Sequence, residues 1–105
     1  FKRVTVVFQP FTFSRTELLL NEFISALSFA DRVVLPPIMG SREVNVSGIS
    51  SQDIAKGLKD ATCVNDLEEA AKFIIETAKE GDFVVTMGGG DVYKAAYKIR
   101  DALIK

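Results

Sequence analysis

Apolar residues recur along the chain in two rhythms: short solid runs, and longer stretches at helical spacing. Residues 2–8 (Lys-Arg-Val-Thr-Val-Val-Phe) form a short run rich in β-branched side chains, which predicts a buried strand. Gln9-Pro10 ends it, because proline has no donor for a ladder. Residues 15–29 then place Leu19, Leu20, Phe23, Ile24 and Leu27 on one helical face, with Ser14 as N-cap and Glu17 at capping-box spacing. A second strand is expected over 31–35, closed by Pro36-Pro37. Residues 36–49 read as a long loop, a length that in compact domains is functional or disordered. Ser50 or Ser51 caps a short helix through Lys59, with Ile54 and Leu58 on one face. Residues 61–64 form a weak strand. Asp66 opens a helix carrying Leu67, Ala70, Ala71, Phe73, Ile74 and Ala78, and Gly81 ends it. Residues 82–87 are a fourth strand, Gly88-Gly89-Gly90 a tight turn, and 91–104 a closing helix.

Four strand–helix units predict an α/β fold: a Rossmann-like three-layer domain with a mainly parallel sheet of at least four strands and helices on both faces. Right-handed crossovers restrict the topology, and the expected order is 3-2-1-4. In such sheets ligands bind outside the carboxyl ends of the strands, where the strand order reverses. Residues 9–16 and 88–91 should therefore share one crevice.

Composition narrows the chemistry. The 105 residues are 48% apolar and 26% charged, which fits one globular domain over 1–105. Thirteen basic and fourteen acidic residues leave a charge of −1, with no footprint for nucleic acid and no polybasic membrane patch. There is no histidine and one cysteine, Cys63. That removes a histidine base, an internal disulfide and most metal clusters, so no metal ligands are assigned. Cys63 reads as a small core residue. No apolar run is long enough to span a membrane. The chain opens on Phe1 with no signal-peptide pattern, as expected of a piece of a longer protein.

The two crevice loops hold the candidate chemistry. Gly88, Gly89 and Gly90 permit positive φ and close approach of a ligand, and the following helix would point free N–H groups at an anion. The same run also reads as a plain turn with Asp91 as N-cap. It is neither a dinucleotide fingerprint nor a P-loop, since no Gly-Lys-Ser/Thr occurs. Arg15 and Thr16 open the first helix. An arginine in a first turn opposes the macrodipole, which fits either a guanidinium aimed at a carboxylate or phosphate or a solvated side chain. Phe11 and Phe13 fit local packing or an apolar wall of the crevice. Ser41, Arg42 and Glu43 fit a polar contact or a solvated loop. No residue is assigned as catalytic.

The run Gln9-Pro10-Phe11-Thr12-Phe13-Ser14-Arg15-Thr16 resembles the opening of the third domain of bacterial Mur ligases, where members read Phe-Gln-Pro-His-x-aromatic-Ser/Thr-Arg-Thr. Three further stretches agree in order. Asn21-Glu22-Phe23 and then Ala30-Asp31-Arg32-Val33 match a helix-to-strand passage. Gly40-Ser41-Arg42-Glu43 resembles a Gly-Ser-x-Arg-Glu loop. Met87-Gly88-Gly89-Gly90-Asp91-Val92 resembles a Met-Gly-Ala-Gly-Asp-Ile turn. The alanine-adding branch is the most similar. One position departs: the family usually has His after Gln-Pro, and here Phe11 offers no polar contact.

The resemblance implies a cytoplasmic bacterial ligase of three domains: a UDP-sugar-binding domain, a central P-loop ATPase and this one. Such a ligase joins L-alanine to UDP-N-acetylmuramate in peptidoglycan synthesis, with ATP and Mg2+, through an acyl phosphate. It further implies that the present chain offers the amino acid, is inactive alone, and leaves ATP and Mg2+ mainly to the central domain. Phe11, Thr12, Arg15, Thr16, Ser41, Arg42, Glu43, Gly89 and Gly90 become the expected substrate-binding residues. The partners implied are the missing N-terminal and central domains, L-alanine and UDP-N-acetylmuramate. A domain of a related murein-peptide ligase, or a non-catalytic α/β module for a small anion or protein partner, is the alternative.

Overall fold

A computed structural model describes residues 3–40, 48–88 and 92–103. Strands β1 (Arg3–Gln9), β2 (Arg32–Leu35), β3 (Ala61–Cys63) and β4 (Asp82–Gly88) alternate with helices α1 (Phe13–Leu18), α2 (Leu20–Leu27), α3 (Ser51–Ala55), α4 (Leu67–Thr77) and α5 (Val92–Leu103). The sheet runs β3-β2-β1-β4 with every pair parallel, which is the predicted order.

Strand β1 sits at the centre and is covered on both faces, as its unbroken apolar run requires. Val6 and Phe8 pack with Leu27, Val33, Leu35 and Ile54 under α2 and α3. Val7 points the other way, to Val34, Ala70, Ala71, Ile74 and Ile99 under α4 and α5. Two cores on one sheet are what a period of two in each strand produces. No helix among the described residues is long and apolar enough to cross a membrane.

Four local expectations need correction. The single helix over 15–29 is two helices, broken at Leu19. Leu18, Leu19 and Leu20 are consecutive and cannot all face one sheet from a straight helix. Leu20 packs on the core, whereas Leu18 is left 79% exposed. The N-cap is Thr12, not Ser14, because tertiary bonds fix Thr12 first. Helix α3 stops at Ala55, short of Lys59. The chain then passes Gly57 so closely over Ile24 that a Cβ there would lie 2.8 Å from its Cγ2. Cys63 is exposed at the end of the three-residue edge strand, not buried. Partial desolvation raises its thiol pKa, which keeps it protonated and a poor nucleophile.

Charged groups brace the amino-terminal end of the sheet. Arg32 is 6% exposed in β2, where its Nε donates to Thr5 Oγ1 (2.8 Å) and its Nη1 to Thr77 Oγ1 (2.6 Å). Its guanidinium lies over the Phe73 ring, 5.3 Å from the centroid. Arg3 reaches both oxygens of Asp82, at 3.0 and 2.7 Å. Those bonds, with the Lys79 N–H, hold the Asp82 carboxyl at about 2, below its ordinary 3.8. A carboxylate depressed in the folded state adds stability above its unfolded pKa and loses it as pH falls through the folded one. The melting-temperature advantage of wild type over Asp82→Asn should thus be full above about pH 4 and fade toward about pH 2. An advantage undiminished at the lower pH would show that the ion pair is not its source.

Candidate functional site

The carboxyl ends of β1 and β2 continue into two segments that grip each other. Met39 N–H donates to the Pro10 carbonyl (2.8 Å) and Thr12 N–H to the Met39 carbonyl (2.8 Å), with Phe11 bridged in parallel to Met39. Residues 36–40 therefore form a strap beside residues 10–12. Gln9 adds a side-chain tie, its Nε2 donating to the Pro37 carbonyl (3.2 Å).

Thr12 is the strained point of this junction. It has φ 63° and ψ 144°, a conformation that a β-branched residue rarely adopts. Strain of this kind costs about 1–3 kcal/mol and persists only where the surroundings over-determine it. Here they do. Besides the N–H bond to Met39, the Thr12 carbonyl accepts from Thr16 N–H (3.3 Å) and Thr16 Oγ1 (2.7 Å), and Thr12 Oγ1 accepts from Arg15 N–H (3.4 Å).

This geometry separates the roles of the neighbouring side chains. Arg15, third residue of α1, is exposed, and its guanidinium makes no hydrogen bond or ion pair with another described residue. Thr16 is fully buried with its hydroxyl donated to Thr12, so it braces the loop and does not face a ligand directly. Phe13 packs over Gly40, where a Cβ would come within 2.8 Å of the ring Cζ. Phe11 is half-buried beside Met39.

Strand β4 brings the second loop alongside. Gly88 pairs in register with Gln9, at φ 123°. A side chain at Gly88 would run into the Gln9 backbone carbonyl, so only glycine allows the strands to stay paired there. The two loops thus leave adjacent strands, as the crevice requires. Gly89, Gly90 and Asp91, together with Ser41, Arg42 and Glu43, lie outside the described residues.

Sequence reasoning placed Gln9 at the strand end and in the crevice loop 9–16, but gave its side chain no role. The structure buries it, 6% exposed, in the wall of a cavity of about 450 Å³ that runs from the strap to the start of α4. Its parity with Val7 was the available signal, since that places it on the face covered by α4 and α5.

Comparison with known proteins agrees with this arrangement. The family described as Mur ligase, glutamate ligase domain, matches residues 1–90. A UDP-N-acetylmuramate–L-alanine ligase of Lachnospira eligens is 46% identical over 88% of this chain and 21% of its own length. Proteins of the same name from Caldicellulosiruptor saccharolyticus and Agathobacter rectalis are 40% and 45% identical, over 95% and 86% of the chain. The chain spans between a fifth and a quarter of the length of these curated relatives. A match over most of the chain, on a parallel sheet whose strand ends carry the motif loops, shows that this chain belongs to the Mur ligase family, as its glutamate ligase domain.

Proposed function

We propose that this chain is the third domain of a cytoplasmic, ATP-dependent ligase that adds L-alanine to UDP-N-acetylmuramate, and that its part is to hold and present the amino acid. The observation that carries the reading is the 46% identity, over 88% of the chain, to a relative bearing that activity in its name. The geometry supports it. A strained loop holds an arginine that pairs with no described residue at the carboxyl edge of the sheet, where ligands of α/β domains bind. In this reading Arg15 forks onto the carboxylate of the amino acid. Thr12 and Thr16 fix the backbone that carries it, and Phe11 forms an apolar wall. Ser41, Arg42, Glu43, Gly89 and Gly90 complete the pocket.

The described residues do not fit a nucleotide or its metal. The chain has no Gly-Lys-Ser/Thr sequence, and no group of three His, Cys, Asp or Glu side chains among the described residues could hold a metal ion. The proposal therefore assigns ATP and Mg2+, with activation of the acceptor carboxylate, to other domains of the same protein.

The test joins genetics to an assay. The reading frame upstream of Phe1 should encode a Gly-x-x-x-x-Gly-Lys-Ser/Thr motif, and the intact protein should join L-alanine to UDP-N-acetylmuramate only with ATP. The 105 residues alone should melt cooperatively and catalyse nothing. ATP-dependent ligation by the 105 residues alone, or an intact protein inert toward alanine, would overturn the proposal.

A further inference from the structure

Helix α1 carries the arginine of the proposed site, yet little of it is anchored. It has six residues, too few to be stable as a helix without tertiary contacts. Ser14, Arg15, Glu17 and Leu18 are exposed, whereas Phe13 is half-buried and Thr16 buried. Thr16 ties back to its own loop, its hydroxyl donating to the Thr12 carbonyl (2.7 Å). Phe13 reaches a different segment, and its ring lies on Gly40 of the strap.

That contact leaves no room for a side chain on the strap. A Cβ at Gly40 would lie 2.8 Å from Phe13 Cζ and closer still to Cε2. Carbon atoms pack best at about 3.5–4.0 Å. Positive φ is found at Gly48, Gly81 and Gly88 but not at Gly40. The backbone of Gly40 would therefore admit alanine, and what excludes a side chain there is the ring. On its other side the contact is firm. Met39, next to Gly40, donates its N–H to the Pro10 carbonyl and accepts at its own carbonyl from Thr12 N–H, both at 2.8 Å. Two backbone bonds and one ring thus clamp the strap across the start of α1, two residues before Arg15.

We infer that Gly40 is a positioning residue for the amino-acid substrate. By seating the Phe13 ring on the strap, it fixes the first turn of α1 and so the place to which the Arg15 guanidinium is delivered. Gly40 touches no ligand in this role and acts through Phe13 and Arg15. A methyl group at residue 40 drives the ring out or tilts the turn, and either way α1 loses an anchor. Its effect on alanine rests on the reading of Arg15 as the carboxylate contact, whereas the clamp stands without it.

The test uses the intact ligase. Hydrogen exchange of peptide 10–18, followed by mass spectrometry, reports the clamp with no substrate present. Gly40→Ala should speed it by about tenfold and leave peptide 82–88 unchanged. Adding Phe13→Leu should return it close to wild type, because the new methyl takes the space that the smaller side chain gives up. Phe13→Ala removes the ring without crowding the strap. It should speed the same peptide, and it decides the matter if Gly40→Ala does not fold. Steady-state kinetics reads the consequence. Gly40→Ala should raise KM for alanine by about tenfold, with kcat and the KM values for ATP and UDP-N-acetylmuramate little changed, and Phe13→Leu should reverse the rise. In an Arg15→Ala background Gly40→Ala should add nothing. Exchange at 10–18 that ignores both Gly40→Ala and Phe13→Ala, or that Phe13→Leu fails to restore, overturns the inference. So does a KM effect of equal size with and without Arg15. Alanine kinetics untouched by Arg15→Ala would remove the amino-acid reading and the substrate half of the inference with it, and the exchange result would then decide the clamp.

Discussion

Replacing Arg15 by alanine in the intact ligase should lower kcat/KM for alanine by about 30- to 100-fold, the value of one or two charge-assisted hydrogen bonds. Arg15→Lys should recover little of the loss. A carboxylate is gripped by a planar fork, and an ammonium on a flexible stem presents one point charge instead. Stability should hardly change. The guanidinium is exposed and pairs with no described residue, so the melting temperature of either variant should stay within about 2 °C of wild type. What Arg15 gives the fold is its backbone N–H, donated to Thr12 Oγ1, and that is retained in every substitution except proline. Steady-state kinetics with alanine varied, beside a thermal melt, separates the two roles. Unchanged kinetic constants in Arg15→Ala would remove Arg15 from the site.

Gly88→Ala should be the most damaging small substitution in the described sheet. The position combines φ 123° with a neighbouring backbone, that of Gln9, which cannot move without parting β1 from β4. Backbone strain together with a clash against main chain should cost about 2–4 kcal/mol. For a domain of this size that lowers the melting temperature by roughly 10 °C or more. Gly48→Ala is the matched control. Gly48 also has positive φ, at 77°, but a Cβ there meets nothing within 4 Å among the described residues, so only the conformational part, about 1 kcal/mol, should be lost. Equal melting temperatures for the two variants would show that the approach of Gly88 to Gln9 is not what excludes a side chain.

Much of the fold was legible because local rhythm and global topology agree. The order β3-β2-β1-β4 follows from four strand–helix alternations and one rule of handedness. The adjacency of the two motif loops follows in turn. What escaped the sequence was set by tertiary bonds. Ser14 is as good a cap as Thr12 by residue type, but the strap had already engaged Thr12 N–H through Met39. The break at Leu19 came from three adjacent leucines competing for one face, a conflict visible in the sequence but read there as a single periodic helix. Cys63 is apolar by type, yet its strand is a three-residue edge whose final residue is left exposed. Arg15 was singled out in the sequence as a charge opposed to its helix, a signal that the six-residue α1 removes, since Arg15 falls in its last turn as well. Gln9 was not, because a polar residue beside proline looks like punctuation until strand parity places it indoors.

The pairing of β1 with β4 also dictates when this domain can become a domain. Arg3 and Asp82 are 79 residues apart in sequence and form one bidentate contact. As the chain leaves a ribosome, β1 emerges first and acquires β2 early, yet its other edge stays bare until β4 is synthesised. While residues 10–81 are being added, that edge of the strand is therefore a sticky margin of unpaired amides and carbonyls. Closing the sheet last, across nearly the full sequence, makes for slow folding governed by non-local contacts. A truncation before residue 82 would leave a half-built sheet prone to self-association, while a permutant that begins at β4 and reaches β1 through α5 as the crossover would make the slowest step a more local one.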